Sequence, residues 1–293
     1  MAKRLGDRVK NWTTFNEPAV IAWDGYLSGE HAPREQDKAK AAQVAHNLMV
    51  AHGLATQALR TANSNLNVGI VLNLWGADAF SEDPADVAAA DLAWYRGEAT
   101  FTHPLFAGHY HPEFENALGA ENISIKIQAG DMALIAQQLD FLGVNFYSRN
   151  LISATKEFDK VAGSEYTEIG WEVCAPALRR LLNRINRDYK LPPIYITENG
   201  AAFKDEVSTD GKVHDPRRLD YLKNHFIQTR LAMQDGVDVR GYFVWSLLDN
   251  FEWGQGLSKR FGIIRVDYET QQRIIKASGE WYAEVIRKNA VDE

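Results

Sequence analysis

The feature that most constrains the fold of this chain is an alternation of short β-prone runs with longer stretches of helical periodicity. Such alternation builds a parallel sheet with crossover helices, because a tight turn cannot join two parallel neighbours. Five runs read as core strands: residues 9–15, 68–74, 141–146, 194–197 and 241–247. Apart from Lys10, Asn11, Thr13 and Thr14 in the first, these runs are almost continuously apolar, the pattern of a strand covered on both faces. Between them, Val44, Leu48, Ala51, Ala55 and Leu59 recur at helical spacing. So do Leu178, Leu181, Leu182 and Ile185, and again Leu219, Leu222, Phe226 and Leu231. Each set predicts one buried helix face. No internal repeat or low-complexity linker interrupts the pattern, so residues 1–293 read as a single domain.

Polar clusters follow four of the five runs. The first run ends in Asn16-Glu17, the third in Asn145-Phe146-Tyr147 and the fourth in Glu198-Asn199-Gly200. The fifth leads through Trp245 to Asp249-Asn250-Phe251-Glu252-Trp253. The C-terminal ends of parallel strands carry the active sites of (β/α) barrels. Open doubly wound sheets also bind ligands there. No Gly-rich phosphate loop is present, which argues against a nucleotide site. Glu17 and Glu198 lie at strand ends that a barrel brings together. Glycoside hydrolysis needs such a pair, one carboxyl protonated for the leaving oxygen and the other ionised to attack carbon or activate water. A single Glu after a strand is ordinarily just solvated; two in compact Asn-flanked turns are less ordinary. Trp75, Trp171, Trp245 and Trp253 lie near the same ends, where flat faces suit the C–H faces of a sugar.

Charge narrows the partners. The formal net charge is −7 and no long basic run appears, which argues against nucleic acid or an anionic membrane surface. No apolar stretch approaches the roughly 20 residues of a spanning helix. The opening "MAKRLGDRVK" lacks the apolar core of a secretion signal. Cys174 is the only cysteine, so no internal disulfide forms and a cytoplasmic location is expected. His109 and His111 have a ligand-like spacing but no evident third ligand, so no metal is expected. His46 and His52 read as structural residues of a helix.

The stretches "NWTTFNEP", "YITENG" and "WSLLDNFEWGQGLSKRFGIIRVD" together resemble glycoside hydrolase family 1, the retaining β-glucosidases and β-galactosidases. The likeness runs over nearly the whole chain, through "GYLSGEHAP", "VAHNLMVAHG", "GVNFYSRN" and "GWEV". It implies that Glu17 is the acid/base and Glu198 the nucleophile. It implies that Asn16 binds the sugar 2-hydroxyl, that Tyr147 holds the nucleophile, and that Asn145 supports the same subsite. Glu252 would take the 4- and 6-hydroxyls and Trp253 the 3-hydroxyl. Trp245 would floor the sugar subsite and Trp171 flank the aglycone. The substrate is a small β-glycoside, with no cofactor. Relatives acting on 6-phospho-sugars replace the Glu of "DNFEW" and use a Lys and a Tyr nearby. This chain keeps Glu252 and has Lys259 but Phe261, which favours an unphosphorylated sugar. It departs from the family pattern at Arg34, where a Gly usually follows "AP", at "EVCAPAL", and at His103, where an Asp usually stands.

The family barrel has eight strands. In it "TFNEP" ends the fourth strand and "ITENG" the seventh. The expected fold class is therefore α/β, a partial (β/α)8 TIM barrel of about five parallel core strands, with the first three units missing. Those units carry further sugar-binding residues: a Gln, a His-Trp pair and an Arg near the nucleophile. Two unpaired strand edges follow, which predict a homo-oligomer, a complementing N-terminal fragment, or a monomer whose loops and helices rearrange to cover the gap. The competing functional reading is a catalytically impaired barrel fragment that serves as an assembly or folding module.

Overall fold

The computed structural model describes residues 1–157 and 160–291. Its strands are β1 (Asn11–Asn16), β2 (Asn67–Asn73), β3 (Ala77–Ala79), β4 (Phe141–Asn145), β5 (Asn150–Ile152), β6 (Ile194–Asn199), β7 (Val239–Val244), β8 (Ile264–Val266) and β9 (Arg273–Ile275). The main sheet runs β1-β2-β4-β6-β7, with every pair parallel. Spatial order follows chain order without reversal. That is the winding of a barrel wall, and it excludes the doubly wound alternative, whose strand order reverses. The two short pairs, β3–β5 and β8–β9, stand outside this wall.

All five expected core strands form. β2 and β4 are buried nearly throughout, as continuous apolar runs should be. The outer strands differ. β1 and β7 are only partly buried, and Phe243 on β7 is 57% exposed. Among the described residues each pairs with one neighbour only, so their inner faces lack the cover that an adjoining wall supplies. The first and last runs also shift. Val9 and Lys10 precede β1, and residues 245–247 lie beyond β7.

Long helices cover the outer face. On Ala175–Asp188 the expected stripe of Leu178, Leu181, Leu182 and Ile185 is wholly buried. On Lys38–Ala62 the buried face is displaced from the expected one. Ala42, Ala45, His46, Met49, His52, Gly53 and Thr56 turn inward, while Val44, Leu48, Ala51, Ala55 and Leu59 sit half-buried on the flank. Small side chains let this helix approach closely; a Cβ at Gly53 would lie 2.3 Å from the Leu134 carbonyl oxygen. The two histidines are buried because they are hydrogen-bonded. His46 contacts the Tyr110 hydroxyl at 3.0 Å and Asp131 at 3.1 Å, and His52 contacts the Thr14 hydroxyl at 2.6 Å. Apolar periodicity cannot see a face built from Ala, Gly and buried His. Among the described residues no helix is long and apolar enough to cross a membrane.

Register brings the polar ends to one rim. Asn73 lies opposite Asn145, and Asn145 opposite Glu198. Gly200, just past β6, allows the next strand to pass close by: a Cβ there would lie 1.7 Å from the Trp245 carbonyl oxygen. No side chain fits at that crossing.

Candidate active site

Asn145 is the centre of the rim. It is completely buried, so its amide must be satisfied by its neighbours. Thr197 on β6 donates its hydroxyl to Asn145 Oδ1 at 2.6 Å. That fixes the amide: Nδ2 must point the other way. There it donates to Glu17 Oε1 at 2.7 Å and to Asn16 Oδ1 at 3.1 Å. One buried amide on β4 therefore ties the end of β1 to the end of β6.

Glu17 directly follows β1 and caps the helix Pro18–Tyr26 with φ of 51°. Its backbone N–H donates to the Val71 carbonyl at 3.0 Å, which holds it in this left-handed conformation. Burial pushes its carboxyl up to about 7; the Asn145 bond works against this, and the nearby charges of Glu198 and Asp24 add to it. Glu198 is also pushed up by burial, with opposition from the Tyr147 hydroxyl and the amides of Asn145 and Asn16. Tyr147 donates to Glu198 Oε2 at 2.5 Å. The Tyr147 hydroxyl is itself held strongly in its neutral, donating form by burial and by the charge of Glu198. Both carboxyls are thus raised by burial, Glu17 against one side-chain donor and Glu198 against three.

The aromatic residues divide into two groups. Tyr147 and Phe261 are buried, with Trp75, Trp171 and Trp245 packed on them. Trp171 meets Trp75 edge-on, with centroids 5.3 Å apart, and Tyr147 at 5.1 Å. Trp245 hydrogen-bonds Glu252, whose own carboxyl is raised first by burial. Trp253 stands apart from this cluster. It is 66% exposed, has φ of 39°, and packs beside His31 at 5.5 Å. Lys259, weighed above as a phosphate ligand, donates to the Glu168 carbonyl at 2.8 Å.

Several contributors were not singled out from the sequence. Thr197 stands inside "YITENG", yet nothing in a strand Thr signals that it orients an amide one strand away. Asn199 is buried and donates to the Phe146 carbonyl at 2.7 Å, bracing the backbone before Tyr147. Glu98 accepts from the backbone N–H groups of Trp75 at 2.9 Å and Gly76 at 2.9 Å, and burial pushes its carboxyl up to about 7. It anchors the segment that presents Trp75. Its tertiary contacts alone reveal it. His103, His109 and His111 do come together, with ring centroids 4.9 and 5.0 Å apart around His103. Among the described residues, however, no group of three or more His, Cys, Asp or Glu is arranged to hold a metal ion.

Five β/α units wound in barrel order, with a carboxylate pair and an aromatic wall at the C-terminal rim, define the class: a partial (β/α)8 barrel with its site at the strand ends. The chain belongs to glycosyl hydrolase family 1, whose model matches residues 1–291. It is 42% identical over 301 residues to a β-glucosidase A of Thermotoga maritima, covering 99% of this chain and 66% of that relative. It is 40% identical over 293 residues to a β-glucosidase of an Agrobacterium species, covering 96% of this chain and 62% of that one. A solved family 1 β-glucosidase from T. maritima superimposes with a TM-score of 0.90 at 40% identity, over 100% of this chain and 67% of the other. The chain thus spans about two thirds of the length of the relatives it matches.

Proposed function

We propose that this chain carries the carboxylate pair of a retaining β-glycosidase acting on unphosphorylated β-glucosides or β-galactosides. The observation that carries the reading is the carboxylate pair on one rim: Glu17 pushed up to about 7 by burial, and Glu198, also raised by burial, gripped by Tyr147. In the first step the Glu198 carboxylate attacks the anomeric carbon. Protonated Glu17 gives its proton to the glycosidic oxygen, and the aglycone leaves as an alcohol. In the second step Glu17, now ionised, takes a proton from water. The oxygen attacks the anomeric carbon and Glu198 departs as a carboxylate, giving the sugar with its configuration retained. Asn16 binds the 2-hydroxyl, with Asn145 supporting it. Glu252 and Trp253 take the outer hydroxyls, Trp245 forms the floor and Trp171 the aglycone wall. The exposed position of Trp253 accords with a residue that closes on sugar from a projecting loop.

Two features support the preference for an unphosphorylated sugar. Glu252 lies near the charge of Glu17, and a phosphate would add repulsion there. Phe261 is buried against Tyr147 and Trp171 and offers no hydroxyl. The test is hydrolysis of a chromogenic aryl β-glucoside by the purified chain, with Glu198→Gln as control. Turnover that vanishes in the control supports the reading. Turnover that survives it, or is absent from the parent, refutes it.

The edges of β1 and β7 support a companion reading: they pair with a second polypeptide, either another copy or a complementing barrel segment. Phe243 on β7 is 57% exposed and Leu247, just past it, is 62% exposed, a surface that invites pairing. Light scattering that finds a stable monomer able to hydrolyse the glucoside refutes it. A single domain with one cysteine is in keeping with a cytoplasmic protein, which cell fractionation tests.

A further inference from the structure

Beneath the rim lies a charge network that the chemistry above does not use. Arg218 forks onto Asp205 at 2.7 and 3.0 Å and reaches Asp215 at 2.7 Å. Lys276 bridges Asp205 to Asp249, with Asp249 at 3.0 Å. Arg260 closes the chain on the other oxygen of Asp249. Three cations meet three carboxylates, and the side chains of Lys276, Asp205 and Asp249 are fully buried. Replacing such a network by apolar groups is often neutral or stabilising, so stability alone does not account for it. Its geometry does something more specific. Asp205 lies on the segment that leaves β6 after Glu198. Asp249 opens the loop that carries Glu252 and Trp253, and it also grips that loop's return, accepting from Gly262 N at 3.0 Å and Val266 N at 3.3 Å. Among the described residues, Lys276 is the one side chain that joins both carboxylates.

We propose that Lys276 is a positioning residue, holding the Glu252–Trp253 loop in a set pose relative to the β6 segment so that Glu252 reads the sugar hydroxyls. The proposal rests on the glycosidase reading for its functional part. Losing Lys276 leaves three buried carboxylates to two cations, and the loop neck slackens toward water.

The test compares the parent with Lys276→Met and with the double variant Lys276→Met/Asp249→Asn. The double variant restores charge balance but not the bridge. Two measurements are made on each full chain. One is hydrogen exchange across residues 250–262, with the helix Ala175–Asp188 as internal reference. The other is the kcat/KM ratio for an aryl β-glucoside against its 4-deoxy analogue. In both variants exchange of the loop quickens about tenfold or more, while the reference helix of the double variant keeps the parent's protection. The preference for the 4-hydroxyl falls about tenfold, mostly through KM, because a displaced Glu252 no longer rewards it. A double variant with the parent's loop exchange overturns the proposal, as does a quickened loop with an unchanged 4-hydroxyl preference. A parent without turnover refutes the glycosidase reading alone; loop exchange in the variants then decides the brace by itself, and an unaltered loop overturns it.

Discussion

Replacing Glu17 by Gln should make the protein more stable at pH 8 and leave it nearly unchanged at pH 4. The Glu17 carboxyl is raised from 4.5 to about 7, first by burial. Such an upward displacement costs roughly 3 kcal/mol once the group is ionised, at about 1.4 kcal/mol per pH unit. The sign follows from proton binding. Between pH 4.5 and 7 the folded state holds a proton that the unfolded chain has lost, so stability falls as pH rises through that window. Below it Glu17 is neutral in both states and costs nothing; above it the full cost applies. A Gln is neutral throughout. It keeps an oxygen to accept from Asn145 Nδ2 but gives up the charge assistance of that 2.7 Å bond, about 1 kcal/mol. The net gain at pH 8 is about 2 kcal/mol, a rise in Tm of about 4–8 °C for a chain of this size. Thermal and urea unfolding of parent and variant at both pH values measure it, and the same variant should lose glucoside hydrolysis. An equal stability change at pH 4 and pH 8, or a loss at pH 8, refutes the reasoning that Glu17 is a dry, strained acid.

Three further outcomes follow from individual contacts. Tyr147→Phe deletes the 2.5 Å donor to Glu198, so the acidic limb of the kcat/KM profile should move up by about one pH unit while the fold survives; an unmoved limb means the phenol does not hold the nucleophile. Arg34 is exposed and has φ of 67°, so Arg34→Gly should relieve left-handed strain and raise stability by about 0.5–1 kcal/mol, read from the urea midpoint. Gly200→Ala would drive a Cβ to 1.7 Å from the Trp245 carbonyl oxygen, so it should cost about 3 kcal/mol or more and abolish activity; a variant of parental stability contradicts the close crossing.

The departures from family pattern acquire physical meaning only at the level of contacts. Arg34 occupies a position that a glycine serves without strain. His103 packs against two other imidazoles and bonds the Tyr189 hydroxyl at 3.2 Å, which makes it a packing residue of its helix. Cys174, in the unusual "EVCAPAL" stretch, stands at the N-cap of the helix Ala175–Asp188 and makes no side-chain capping bond.

The five core runs, their parallel order and the rim position of Asn16, Glu17, Asn145, Tyr147 and Glu198 were legible in the sequence. The burial of β2 and β4 writes itself as continuous apolar runs, and short polar motifs at strand ends are local in the chain. Tertiary structure decided the rest. Which face of Lys38–Ala62 turns inward went with hydrogen bonds between His46 and His52 and distant groups, and no apolar period records a buried imidazole. The orientation of the Asn145 amide was set by Thr197, a residue 52 positions away. Glu98 and the network around Lys276 are polar groups buried by partners remote in sequence, and their burial is a property of the assembled rim. A sequence specifies local propensity and chemistry; the upward shift of both carboxyls, and the donors that oppose it at Glu198, arise only when folding removes water and brings Tyr147, Asn145 and Asn16 to the rim.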